Sequence, residues 1–194
     1  MTKTTAFLSA AAFGALALTA TLAAPVSAQD KMMKSDTSSE KTVMVGGAAM
    51  FPSKNIIENA VNSKDHTTLV AAVKAAGLVE TLEGKGPFTV FAPTNAAFGK
   101  LPAGTVDSLV KPESKATLTK ILTYHVVPGK LEASDLTDGK KLKTVEGEEL
   151  TVKKSGGSVV IVDAKGGSST VTIPNVNQSN GVIHVVDTVL MPAS

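Results

Sequence analysis

Two hydrophobic rhythms divide this chain, and the point where one gives way to the other sets the class of fold. Up to about His125 the apolar residues recur three and four positions apart. Ile56-Ile57 and Ala60-Val61 make one stripe, Leu69, Val70 and Val73 a second, and Leu118, Ile121 and Leu122 a third. Such spacing lines one face of a helix. His125 lies seven residues after Leu118 and continues that third face, where a buried imidazole needs a partner such as a backbone carbonyl or a Thr hydroxyl. From Lys141 the rhythm is two: Leu150 and Val152 alternate with polar residues, and Val159 to Val162, then Val171 and Ile173, follow. Gly156-Gly157, Gly166-Gly167 and Asn180-Gly181 interrupt these runs as hairpin signals. One short apolar strand, Phe88 to Ala92, comes early, after the turn Gly84-Lys85-Gly86-Pro87, and must join the later strands. The last strand, Val182 to Leu190, is apolar on both faces apart from His184, Asp187 and Thr188, which predicts a central strand covered on both sides. Helices first and antiparallel strands afterwards define an α+β arrangement.

The helix ends are marked as well. Gly77 closes a helix over Thr67 to Ala76. Thr94 is placed to cap a short helix through Phe98, and Ser114 to cap a longer one ending at Tyr124. His66, just ahead of a helix, reads as solvated.

The start of the chain reads as a cleavable signal peptide, residues 1–28. Lys3 precedes a charge-free run to Gln29, with Ala6 to Leu22 mostly Ala, Leu and Phe, and Val26-Ser27-Ala28 puts small residues at the exit. The run is short and Ala-rich for a membrane span, so none is expected after cleavage. The C-terminal Leu190 to Ser194 lacks the hydrophobic tail that a lipid anchor requires. Residues 29–49 are polar and mixed, as in a flexible leader, and a single folded domain is expected over 50–194. That length buries enough surface to hold together unaided. Packing must supply the stability, because a chain marked for export carries no cysteine. The expected location is periplasmic or extracellular.

Charge narrows the partners. The 19 basic residues are all Lys; without Lys3, 18 face 17 acidic ones. A balanced chain without Arg, and without a basic stripe carrying aromatics, argues against nucleic acid. No cofactor motif is present, and no catalytic set assembles. His125, or His184 with Asp187, could serve as base and orienter for a Ser or Thr nucleophile, but no Gly-x-Ser-x-Gly turn positions one. His184 and Asp187, three apart on a strand, face opposite sides. No metal-ligand spacing of His or Cys occurs. Met32, Met33, Met44 and Met50 crowd the leader and its junction, and thioethers favour Cu(I); methionine is also a common filler in such leaders.

Three segments taken together resemble a fasciclin domain. They are Phe88-Thr89-Val90-Phe91-Ala92-Pro93-Thr94-Asn95-Ala96-Ala97-Phe98; then Tyr124-His125-Val126-Val127-Pro128-Gly129; then Asn180-Gly181-Val182-Ile183-His184 through Asp187 to Pro192. The resemblance runs from about Asn55 to Pro192. It implies a wedge-shaped β-sandwich with several packed helices, and a binding or adhesion role whose partner is a protein or polysaccharide at the cell surface. It also implies that Tyr124, His125, Val126, Val127 and Pro128 are the candidate contact surface, against the plainer reading of this segment as core. The remaining motif residues read as structural: Phe91 and Phe98 as core, Pro93 and Thr94 as helix entry, Asn95, His184 and Asp187 as motif positions, and Asn180-Gly181 as a turn needing positive φ. An enzyme is not expected. The alternatives are a carrier of an apolar ligand, carotenoid or lipid, and behind it a hydrolase. With aromatics at 4% of residues, few rings are available to line a pigment pocket.

Overall fold

The computed structural model describes residues 41–193; the expected signal peptide, Met32, Met33 and most of the expected leader lie outside them. The described residues begin with a hairpin. β1 (Val43–Val45) and β2 (Ala48–Met50) pair antiparallel around Gly46-Gly47, and they pair only with each other. The expected leader, residues 29–49, takes in all of this hairpin but Met50, yet Val45 and Met50 are both 3% exposed and belong to the core. Two three-residue runs around a glycine pair are a hairpin signal, too short to stand out from the polar residues before it.

Helices follow. α1 (Ile56–Ala60) opens with a capping box: the Asn55 side chain accepts from the Glu58 N–H, and the Glu58 carboxylate accepts from the Asn55 N–H. A 3-10 turn (Lys64–His66) leads into α2 (Thr67–Ala76), which Gly77 ends in the left-handed conformation at φ +74°. α3 (Val79–Glu83) comes next, then the early strand β3 (Phe88–Pro93) and α4 (Asn95–Gly99). α5 (Thr105–Leu109) and a turn at Pro112–Ser114 precede α6 (Lys115–Tyr124). Ser114 stands at the N-terminus of α6 but makes no side-chain cap, because the preceding turn runs straight into the helix.

The strands complete the fold: β4 (Val126–Pro128), β5 (Lys141–Lys143), β6 (Glu149–Ser155), β7 (Ser158–Val162), β8 (Ser168–Gln178) and β9 (Gly181–Val186). With β3 they form one seven-stranded sheet in the order β4-β3-β9-β8-β7-β6-β5. The early strand joins it parallel to β9, from Phe88 opposite Gly181 to Pro93 opposite Val186, while every other pair is antiparallel. The sheet curls until its edges meet, where the Val145 N–H bonds the Val126 carbonyl at 2.8 Å.

Two cores result, one on each face of the central strands. Val90 and Ala92 of β3, with Ile183 and Val185 of β9, pack against α1, α2 and α6. Phe91 and Val186 face the other way, into the curled sheet with Tyr124, Leu150, Val152 and Ile161. Every residue of β9 is buried, as a doubly covered strand requires. It stops at Val186, four residues short of the expected end: the Asp187 N–H still reaches the Thr170 carbonyl of β8, but the Thr188 N–H turns to the Ser169 hydroxyl and the Leu190 N–H to His125 Nε2.

Candidate functional site

The motif residues gather where β3 and β9 run side by side. At the end of β3 the Thr94 hydroxyl accepts from the Ala97 N–H and caps α4 as expected, with Phe98 buried behind it. Asn95 reaches backwards: its amide oxygen accepts from Thr68 N–H, and its NH₂ donates to the Lys64 carbonyl and the Thr67 hydroxyl. It thereby supplies the start of α2 with the cap that its own sequence lacks. Pro93 closes β3 beside Val186.

The Tyr-His segment lies inside. Tyr124 is 0% exposed, His125 2%, Val126 6% and Val127 3%. Of the five residues expected to form a contact surface, only Pro128 is exposed. The apolar stripe of α6 carries the first two into the core, and the short β4 is covered on both sides. The Tyr124 hydroxyl accepts from the Ala164 N–H at 2.9 Å, and burial is the main cause that raises its pKa. His125 Nδ1 sits 2.7 Å from the Ile121 carbonyl, while the Leu190 N–H points at Nε2 from 3.0 Å. A backbone N–H can only donate, so Nε2 holds the lone pair and Nδ1 the proton. Full burial lowers the pKa to about 4, against the opposing pull of the Ile121 carbonyl and Asp163.

His184 is built the same way with the nitrogens exchanged. Asn175 N–H donates to Nδ1, and Nε2 donates to the Leu131 carbonyl at 2.8 Å. The ring stacks on Phe91, 5.7 Å between centroids, and burial lowers its pKa. Asp187 is engaged elsewhere. Its carboxylate accepts from the Thr170 N–H and the Thr188 hydroxyl and pairs with Lys100 at 3.6 Å. Burial raises the Asp187 pKa, but these partners outweigh it and hold it below the usual carboxylate range.

The turn expected at Asn180-Gly181 is there, Ser179 and Asn180 linking β8 to β9 with Gln178 opposite Gly181, but neither Asn180 nor Gly181 has the expected positive φ. Asn180 is a clasp. Its amide oxygen accepts from Ile56 N–H at the start of α1, and its NH₂ donates to the carbonyls of Leu82 and Gly84 at the end of α3. Gly181 is required by close approach: a Cβ there would overlap the Phe88 carbonyl. His66 corrects another expectation. It is 3% exposed, with Nδ1 2.8 Å from the Ser63 hydroxyl.

Chemically, His125 and His184 have both ring nitrogens occupied by backbone groups, so neither has a lone pair or proton free for a substrate. Among the described residues, no three His, Cys, Asp or Glu side chains form a metal-binding group. Met50 is buried, which removes it from any exposed thioether set. A cavity of about 40 Å³ lies between helices and sheet. It falls well below the several hundred cubic ångströms of a pocket for a drug-sized ligand, and so below what a carotenoid needs. Among the described residues no helix is long and apolar enough to cross a membrane.

This arrangement, with a parallel β3–β9 pair at the centre of a curled mixed sheet and motif side chains spent on joining elements, defines an α+β domain of the fasciclin type. The model of the fasciclin domain family matches residues 64–192, and the chain belongs to that family. It is similar to Protein sll1483 of Synechocystis sp., 52% identical over 153 residues, 79% of this chain and 82% of the relative. It is also similar to two proteins of Mycobacterium bovis. Immunogenic protein MPB70 is 39% identical over 69% of this chain and 66% of its own length. Cell surface glycolipoprotein MPB83 is 39% identical over 76% and 64%. Among solved structures, a fasciclin-domain pair from the insect cell adhesion molecule fasciclin I superposes with a TM-score of 0.65 at 20% identity, over 73% of this chain and 52% of that one. At that identity the likeness shows the fold alone.

Proposed function

We propose that this protein is an exported, non-enzymatic binding module that attaches to a protein or polysaccharide at the cell envelope or outside the cell. One observation carries the reading: the polar motif residues that would have to do chemistry are consumed in joining elements. His125 ties α6 to Leu190, His184 ties β9 to Leu131 and Asn175, and Asn180 ties α1 to α3. A domain so arranged offers its partner a rigid outer surface. The names of its relatives point the same way, a cell surface glycolipoprotein at 39% identity and a cell adhesion molecule by fold.

Within the Tyr-His segment the part free to touch a partner is Pro128, with the exposed Lys130 beyond it. The loop that carries them is held by buried Thr89, whose hydroxyl donates to the Gly129 carbonyl and accepts from the Leu131 N–H. The test is binding of the purified protein to envelopes of the cell that makes it. Saturable binding that protease or periodate treatment of the envelopes removes is expected, and which treatment removes it tells protein from polysaccharide. Absence of saturable binding, or hydrolysis of an ester or peptide that vanishes in folded His184→Gln, would overturn the reading.

A further inference from the structure

Over β5 to β8 the sheet turns an open, basic face to solvent. Leu142, Leu150, Val152 and Ile161 point into the curled sheet, so the residues that alternate with them point out. The strand register sets these in rows. Lys141 lies beside Thr151, Thr151 beside Val162, and Val162 beside Ser168; Lys153 lies beside Val160, and Val160 beside Thr170. Lys143 stands opposite Glu149, whose carboxylate pairs with Lys141 at 3.3 Å. Three lysines thus share this face with one glutamate. Among the described residues the ammoniums of Lys143 and Lys153 have no partner. The carboxylates around the face are turned elsewhere: Asp138 accepts from the Lys154 N–H, Glu146 pairs with Lys120, and Glu148 accepts from the Ala193 N–H.

We propose that, granted the binding role above, this face takes an anionic polysaccharide, a chain of sugars carrying carboxylate or sulfate groups, with Lys141, Lys143 and Lys153 meeting the anions. Charge complementarity selects the partner. Lys141 and Lys143 lie two residues apart on one strand, roughly 7 Å, and Lys153 lies on the next. At that spacing all three act together on one anionic chain, because the Debye length at physiological salt is about 8 Å. The hydroxyls of Thr151 and Thr170 beside them donate and accept, which suits the hydroxyls of sugars. A protein partner is anchored mainly through Trp, Tyr or Arg, and this face has none; its apolar residues are the half-buried Val160 and Val162. Single-stranded nucleic acid is held by stacking its bases on aromatic rings, which the face also lacks.

The experiment measures binding of the purified protein to polygalacturonate, which carries carboxylates, and to dextran sulfate, with plain dextran and single-stranded DNA in parallel. Saturable binding to at least one of the two anionic polysaccharides is expected, with weaker binding to DNA and none to plain dextran. Raising the salt from about 20 to about 150 mM should weaken it roughly tenfold. The triple variant Lys141→Gln, Lys143→Gln, Lys153→Gln, altered only at exposed side chains, should also weaken it roughly tenfold. The same change at the exposed Lys64, Lys74 and Lys85 of the helical half should weaken it less than about twofold. Failure of both anionic polysaccharides to bind, DNA binding as tight as theirs, or equal losses in the two triple variants would overturn the proposal. Envelope binding that survives in the first triple variant would overturn it too and leave the binding module standing, whereas absence of envelope binding by the unaltered protein overturns the module itself.

Discussion

His125 shows what burial does to a titratable group, and the sign follows directly. The ring is neutral in the folded chain with a pKa of about 4, against about 6.5 when unfolded. The unfolded chain therefore binds more protons as acid is added. The stability that this neutral ring allows is fully present above pH 6.5 and is lost as the pH falls from there towards 4. The loss amounts to about 3 kcal/mol at pH 4 from this residue. Ring-proton resonances followed by NMR should show His125 unshifted from pH 8 to about 5; a midpoint near 6.5 would contradict the buried, doubly bonded ring. Asn180 tests the clasp. Asn180→Ala removes three hydrogen bonds and leaves buried backbone groups at two helix ends unmet. It should lower the unfolding free energy in urea by about 2–4 kcal/mol; a loss under about 0.5 kcal/mol would mean the ends find other partners. Motif positions such as these were legible in the sequence as positions. Their roles were not, because Asn180 bonds to residues about a hundred positions away and nothing local to an Asn-Gly pair reveals that.

Among the elements, those with a strong local signature were the readable ones. The helix over Thr67 to Ala76 with its Gly77 cap, the Phe88 strand, and the cap at Thr94 all follow from patterns within ten residues. The five-residue helices α3 and α5, and the three-residue strands of the N-terminal hairpin, carry too few residues to show a period. Tertiary packing holds them. The parallel pairing of β3 with β9 is likewise a property of the whole sheet and not of either segment. The two N-terminal helix positions offer a paired test. Thr94→Ala removes an observed capping bond and should cost about 1 kcal/mol. Ser114→Ala removes none and should fall within about 0.5 kcal/mol of the unaltered chain. Equal losses in urea unfolding would show that cap position, and not the bond seen, decides.

For the whole molecule, the chain holds together without a disulfide by giving its sheet two cores and stitching the helices to it through side-chain bonds to backbone. Those bonds fall on the residues by which the family is recognised, so the motif is first a description of a scaffold. In the proposed function, contact with a partner falls to exposed loops such as the one after Pro128. The same logic explains why the sequence left the Tyr-His segment open between contact surface and core: an apolar Tyr-His-Val-Val run suits either, and only burial separates them. The most direct measurement combines stability and envelope binding on one variant, Tyr124→Phe, which strips the hydroxyl that accepts from Ala164 and leaves the ring in place. The account predicts a loss of about 1–3 kcal/mol in urea unfolding with the dissociation constant for envelopes unchanged where the protein is folded. Unaltered stability together with lost binding would contradict it and return Tyr124 to the surface.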